Sequence, residues 1–188
     1  YDTMWNSTRR MAECIAEGLR ETDPTLTVKL FNSAVDDKND IVTEVFKSKA
    51  ILVGSPTINY GFLFSIGGIM EMIRGLKFKN KKAAAFGSYG WSGEAVKQIT
   101  ALLQGAGFDV VNDGLRCQWN PDQATQETCR QYGRDFAAAV NASEAKEDEV
   151  QTELGDYNND EQIGKAAKEH FEDWEKDARE GVKGGYAG

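Results

Sequence analysis

Apolar and β-branched residues are grouped in short runs at Leu26 to Phe31, Ala50 to Gly54, Lys82 to Gly87 and Phe108 to Val111, with a further short run at Leu115 to Trp119. Runs of this length, bounded by polar or glycine-containing segments, predict buried strands. Between them the apolar positions take a helical period. Met11, Ile15 and Leu19 recur within Arg9 to Arg20, and Ile41, Val45 and Phe46 share a second stripe. Ile66 to Ile73, Ala95 to Leu103 and Thr125 to Val140 supply three more, which makes five helices in all. Strands alternating with helices predict an α/β fold in which a parallel sheet is covered on both faces.

The front of the chain lacks one expected part. A polar loop, Tyr1 to Thr8, leads directly into the first helix, whereas in a doubly wound fold such a loop follows a buried strand. In the strand order 2-1-3-4-5 that strand would lie between two of those seen here. The expectation is therefore a five-stranded doubly wound sheet with its first strand truncated, in a piece of a longer chain.

Composition changes after Val140. Residues 1–140 hold 16 acidic and 16 basic side chains, while 141–188 hold 14 acidic and 6 basic, so the tail accounts for the whole net charge of −8. The expected division is one domain over 1–140 and an acidic linker or tail over 141–188. Within that tail, Glu161 to Glu180 carries Ile163, Ala167, Phe171, Trp174 and Ala178 at amphipathic helical spacing, and Gly181 to Gly188 reads as unstructured. A neutral body with an acidic tail is ill suited to nucleic acid, which needs a basic surface. The longest apolar stretches, such as Ala83 to Phe86, fall far short of the roughly 20 residues that cross a bilayer. Three widely spaced cysteines, Cys14, Cys117 and Cys129, fit a reducing cytoplasm.

Chemistry concentrates in three loops. Thr3, Met4, Trp5, Asn6, Ser7 and Thr8 place hydroxyls and an amide just before a helix, where free N–H groups and the macrodipole favour a phosphate. Ordinary capping by Ser7 or Thr8 explains the same residues equally well. The second loop follows a strand and contains Ser55, Pro56, Thr57, Ile58, Asn59, Tyr60 and Gly61. It falls at the carboxyl edge of the sheet, where open α/β folds bind ligands. A third loop, Ser88, Tyr89, Gly90, Trp91, Ser92 and Gly93, combines glycines that allow close backbone approach with aromatic faces on which a ring system can stack. Taken singly, the second is also a plain long strand-to-helix connection, and Trp91 of the third a buried structural residue. Together they describe a phosphate site next to a planar pocket.

Three strings carry a family resemblance: Tyr-Asp-Thr-Met-Trp-Asn-Ser-Thr-Arg (1–9), Val-Gly-Ser-Pro-Thr-Ile-Asn (53–59) and Phe-Gly-Ser-Tyr-Gly-Trp-Ser-Gly-Glu-Ala (86–95). Over about residues 1–140 the chain resembles the flavodoxin-like domain of flavodiiron proteins, the flavorubredoxin branch included. That resemblance implies a flavodoxin-like fold and bound FMN. Thr3 to Thr8 would wrap the phosphate, with hydroxyl contacts from Thr3 and Thr8. The loops Pro56 to Gly61 and Ser88 to Gly93 would flank the isoalloxazine, and Trp91 is the expected stacking residue. No side chain acts as an acid or base in this picture; the cofactor carries the redox chemistry.

The chain also departs from the family. Tyr60 stands where a second Asn is usual, and Phe62-Leu63-Phe64 replaces a Pro-containing segment, so a more apolar rim is expected there. The diiron ligands of the family's metallo-β-lactamase-like domain are absent, the single histidine is His170, and three isolated cysteines cannot make a rubredoxin module. The resemblance implies an oxidoreductase part that takes electrons from a rubredoxin or reductase and relays them to the diiron domain of a homodimer or higher oligomer, where dioxygen or nitric oxide is reduced. Two other functions fit the residues: a self-contained FMN-dependent NAD(P)H:quinone or flavin reductase, and a non-catalytic interaction module.

Overall fold

The computed structural model describes the backbone of residues 1–153 and the side chains of residues 1–143. In chain order the elements are α1 (Ser7–Thr22), α2 (Lys38–Lys47), β1 (Ala50–Gly54), α3 (Phe64–Arg74), β2 (Lys82–Tyr89), α4 (Glu94–Gly105), β3 (Asp109–Val110), β4 (Leu115–Gln118) and α5 (Gln123–Glu153). All five expected helices form. One compact unit comprises Tyr1–Ser143, and a second begins at Glu144.

Every strand pairing is parallel. Strand β2 is central, with β1 on one side in the register Gly54↔Phe86. On the other side it pairs first with β3 through Lys82↔Asp109 and then with β4 through Phe86↔Leu115 to Tyr89↔Gln118. The turn between β3 and β4 depends on Gly114, whose φ of 89° suits glycine and whose missing side chain leaves room for Val96 and the Ala85 carbonyl.

Alternation along β2 builds the two halves of the core. Ala83 and Ala85 face the layer of α3 and α4, with Ile69, Ile73, Ile99 and Leu103 buried there. Ala84 and Phe86 face α1 and α5, against Met11, Ile15, Phe136 and Ala137. Side chains of successive strand residues point to opposite faces, so an unbroken apolar run serves both layers. Small residues let α1 and α5 approach closely: a Cβ on Gly18 would strike the Arg130 carbonyl, and one on Gly133 would strike the Ile15 carbonyl. Arg130 and Arg134 pair across this crossing with Glu17 at 2.8 Å and Glu21 at 2.7 Å.

Two expectations need correction. Leu26 to Phe31 is not a ladder-paired strand. Only Tyr1 and Asp2 stand beside it at the sheet edge. The Tyr1 nitrogen donates to the Phe31 carbonyl at 2.8 Å, Ser33 N returns a bond to the Tyr1 carbonyl at 2.9 Å, and Asp2 N bonds the Gly54 carbonyl at 2.9 Å. Tyr1 and Asp2 thus hold the inner position, between residues 31–33 and the end of β1, that the order 2-1-3-4-5 assigns to its first strand. Two residues are too few to form a ladder along the whole segment. The second concerns the stretch from Asn141, expected as linker, where α5 instead continues to Glu153. Residues 141–153 are rich in Glu and contain two Ala, whose helix propensity is high enough to extend a helix already nucleated by packing. The expected helix at Glu161 to Glu180, the stretch Gly181 to Gly188 and His170 lie outside the described residues.

Among the described residues no helix is long and apolar enough to cross a membrane. Cys14, Cys117 and Cys129 are free and buried. Burial, and then the neighbouring thiols, push Cys129 up from 9.0 to about 12.

Two outcomes follow from this packing. Gly133→Ala forces α1 and α5 apart and lowers stability by about 1–3 kcal/mol, read as a reduced urea midpoint with an unchanged slope. The raised Cys129 value means that the unfolded chain loses a proton near pH 9.0 that the folded chain keeps until about 12. Stability therefore falls as pH rises through that window, and Cys129→Ala removes part of the fall in urea titrations at graded alkaline pH.

Candidate functional site: three loops and a fourth at the carboxyl edge

Parallel strands bring the ends of β1, β2 and β4 to one edge, and the N-termini of α1 and α4 meet them there. Ser88, buried near the end of β2, ties the edge together. Its Oγ lies 3.1 Å from Thr8 Oγ1, and its carbonyl accepts Thr57 N at 2.8 Å. The approach of β1 to β2 is so close that a Cβ on Gly87 would overlap the Ser55 carbonyl.

The first loop ends in a helix start with no side-chain cap. Asn6 takes the N-cap position in the left-handed region, at φ 63° and ψ 1°, and its side chain caps nothing. An α-helix leaves its first N–H groups without intrahelical acceptors, so α1 begins with donors available to a ligand. Thr3 Oγ1 is buried and has no hydrogen-bond partner, the one such side-chain atom among the described residues. Buried hydroxyls in folded proteins are nearly always paired, so this one calls for an acceptor from outside the chain. Below it the buried Asp2 carboxylate accepts Thr3 N at 2.6 Å and the Ser65 hydroxyl, and Ser65 lies 2.8 Å from Ser33. Trp5 is 80% exposed and Met4 is also exposed. Thr8 is fully buried and its hydroxyl meets that of Ser88, which makes it a tie between loops.

The second loop closes on itself. Ile58 N bonds the Gly61 carbonyl at 3.0 Å and Gly61 N bonds the Ile58 carbonyl at 2.8 Å, with Asn59 and Tyr60 left-handed at φ 49° and 61°. Two positive φ values between paired residues define a type I′ turn. Pro56 is buried, and Thr57 faces inward, where its Oγ1 accepts Ala95 N at 3.3 Å and supplies the cap that α4 otherwise lacks. Ser55 Oγ accepts Leu63 N, from the residue just before α3, at 2.9 Å. Phe64, 90% exposed, lies in the segment expected to form a more apolar rim.

In the third loop Tyr89 is partly buried, and Gly93, at φ 80°, brings its backbone against the Tyr89 ring, where a Cβ would meet it at 3.1 Å. Ser92 Oγ donates to Glu94 at 2.6 Å. Trp91 is 90% exposed, and only its edge contact with Trp119 engages it, at 5.4 Å between centroids and 75° between planes. Its indole thus remains free to meet a ring.

A fourth loop escaped the sequence reading. Trp119 N bonds the Tyr89 carbonyl at 2.8 Å, Gln118 Nε2 bonds the Gly90 carbonyl at 3.1 Å, and Ser7 Oγ bonds Asn120 Oδ1. Gly90 packs under the Trp119 ring, and Trp119 itself is left-handed at φ 61°. The signal was a Trp-Asn-Pro string (119–121) directly after the last short strand. No lysine or arginine occurs in residues 1–8, 54–64 or 87–93, so an anion here depends on N–H and hydroxyl donors. No cluster of metal-ligating side chains exists among the described residues.

A doubly wound parallel sheet whose carboxyl edge carries free hydroxyl and N–H donors and exposed indoles places the chain in the flavodoxin-like α/β class. The flavodoxin family model matches residues 1–133, and the chain belongs to that family, whose members bind FMN. It is 51% identical over 137 residues to an anaerobic nitric oxide reductase flavorubredoxin of Escherichia coli O1:K1 / APEC, an alignment that covers 73% of this chain and 28% of the relative. The same figures hold for a flavorubredoxin of Shigella boydii serotype 4 (strain Sb227). The chain thus spans little more than a quarter of the curated relatives it matches. Among solved structures, rubredoxin oxygen:oxidoreductase from Desulfovibrio gigas superposes with a TM-score of 0.73 and 37% identity, covering 77% of this chain and 36% of that one. The flavodiiron protein of Giardia intestinalis gives 0.72 and 29%, with 77% and 36% covered. The resemblance drawn from the three strings is borne out, and the matched relatives are oxidoreductases.

Gly93→Ala places a side chain at positive φ against Tyr89. It costs about 1–2 kcal/mol of stability and shifts the emission of Trp91, both read in one urea titration followed by tryptophan fluorescence.

Proposed function

We propose that this chain is the FMN-holding, electron-relay domain of a flavodiiron-type oxidoreductase of the flavorubredoxin kind. The observation that carries the proposal is the buried, unpartnered Thr3 hydroxyl beside the uncapped start of α1. A phosphomonoester offers the acceptor that this hydroxyl lacks and the anion that the helix N-terminus attracts. Bound FMN supplies the one- and two-electron chemistry that no side chain here provides.

The residues divide the work of holding it. Thr3, Asn6 and Ser7, with the amides at the head of α1, receive the phosphate, while Thr8 locks that loop to Ser88. Asn59, Tyr60 and Gly61 on one side, and Gly90, Trp91 and Ser92 on the other, meet the ring. Met4 and Trp5 belong to the phosphate loop, and Ile58 closes the turn that flanks the ring. The resemblance to flavorubredoxin and to rubredoxin oxygen:oxidoreductase supports a rubredoxin-type or reductase donor. It also supports a diiron domain, in the same protein or its homodimer partner, as the acceptor that reduces nitric oxide or dioxygen. Three free, buried thiols fit work in a reducing cytoplasm.

Titration of the folded chain with FMN tests the reading through quenching of flavin fluorescence and a structured visible band. Thr3→Val removes the hydroxyl at constant shape and is expected to weaken FMN about tenfold, in line with the loss of a hydrogen bond to a charged group. A folded chain that leaves FMN fluorescence unquenched overturns it.

A further inference from the structure

Gln98 is an exposed residue on α4, and nothing in its position along the helical stripe marks it for a role. Its Nε2 nevertheless donates to the Tyr60 carbonyl at 2.7 Å, reaching the tip of the second loop from 38 residues away. The other bonds that tie this loop to its surroundings, Ser55 N to the Phe86 carbonyl, Leu63 N to Ser55 Oγ, Thr57 N to the Ser88 carbonyl and Ala95 N to Thr57 Oγ1, all grip its beginning. The tip is the part under strain. Asn59 and Tyr60 are both left-handed, which asparagine tolerates and a bulky aromatic residue disfavours. Because the peptide unit is planar, anchoring the Tyr60 carbonyl also sets the direction of the Gly61 N–H, which closes the turn on Ile58. The Tyr60 ring itself is 76% exposed beside this turn.

We propose that Gln98 is a positioning residue for the ring end of the flavin site. By anchoring the Tyr60 carbonyl it holds the Asn59–Tyr60 backbone in the arrangement that receives the isoalloxazine. The inference rests on the FMN reading above. A single water-exposed hydrogen bond adds little to global stability, and strain retained at an exposed tip is characteristic of binding sites, so the bond acts on the ligand more than on the fold.

Separating the two ends of the ligand tests this. In the flavin-free chain, Gln98→Ala is expected to speed hydrogen exchange at the Gly61 amide and leave the melting temperature unchanged. Titrated with riboflavin and with FMN, the variant should weaken both by the same factor, about fivefold for one neutral hydrogen bond, so that their affinity ratio keeps its wild-type value. Gln98→Glu keeps the shape but removes the donor and should give the same loss together with a shifted flavin midpoint potential. Thr3→Val, at the phosphate end, should weaken FMN alone. Wild-type affinity for both flavins in Gln98→Ala and Gln98→Glu overturns the positioning role and leaves the FMN reading intact, and so does a loss confined to FMN. Failure of the folded wild-type chain to bind either flavin overturns both.

Discussion

The contacts of one buried serine organise the carboxyl edge. Ser88 sits where β2 leaves the sheet; its hydroxyl meets Thr8 at the head of α1, and its carbonyl takes Thr57 N from the second loop. Those bonds join three segments remote in sequence, and they can form only because Gly87 lets β1 lie directly against β2. A side chain at Gly87 would push the first and second loops apart, and the phosphate end and the ring end of the site would no longer face one another. Thr57 carries the coupling onward, since its hydroxyl caps α4 and so positions the helix that bears Gln98.

Backbone strain accumulates at this edge. Asn6, Asn59, Tyr60, Gly93 and Trp119 all have positive φ, and four of the five lack the freedom of glycine. Lys77 and Asn80, before β2, are left-handed as well, so it is the two core layers that supply the rigidity: β2 is buried on both faces, and α1 and α5 are locked by the reciprocal approaches of Gly18 and Gly133. A tightly packed body of this kind can retain locally unfavourable conformations where a ligand is to be met.

Period and punctuation made most of the fold legible. The stripe Met11, Ile15, Leu19 and the buried runs of β1 and β2 have the repeat that their element demands, and each apolar run ends at a glycine or a polar turn. Leu26 to Phe31 shows the limit of that reasoning. Its pattern is that of a strand, yet a strand is defined by hydrogen bonds to a neighbour, and only Tyr1 and Asp2 lie alongside. The far end of α5 shows the converse, because helix propensity beyond Val140 continued an element that composition alone read as linker.

Within the site, residue type and order along the chain determined which loops carry donors, glycines and aromatic faces, since those are properties of single residues and of their distance from a strand end. Tertiary structure decided what each group does. It turned the Thr8 hydroxyl inward to Ser88 and left that of Thr3 without a partner. It also brought Trp119 and Asn120 beside loops that lie far from them in the sequence, and it aimed Gln98 at Tyr60. Hydrogen bonds depend on ångström-scale distances and on direction, and for groups tens of residues apart these arise only when the sheet and its covering helices pack.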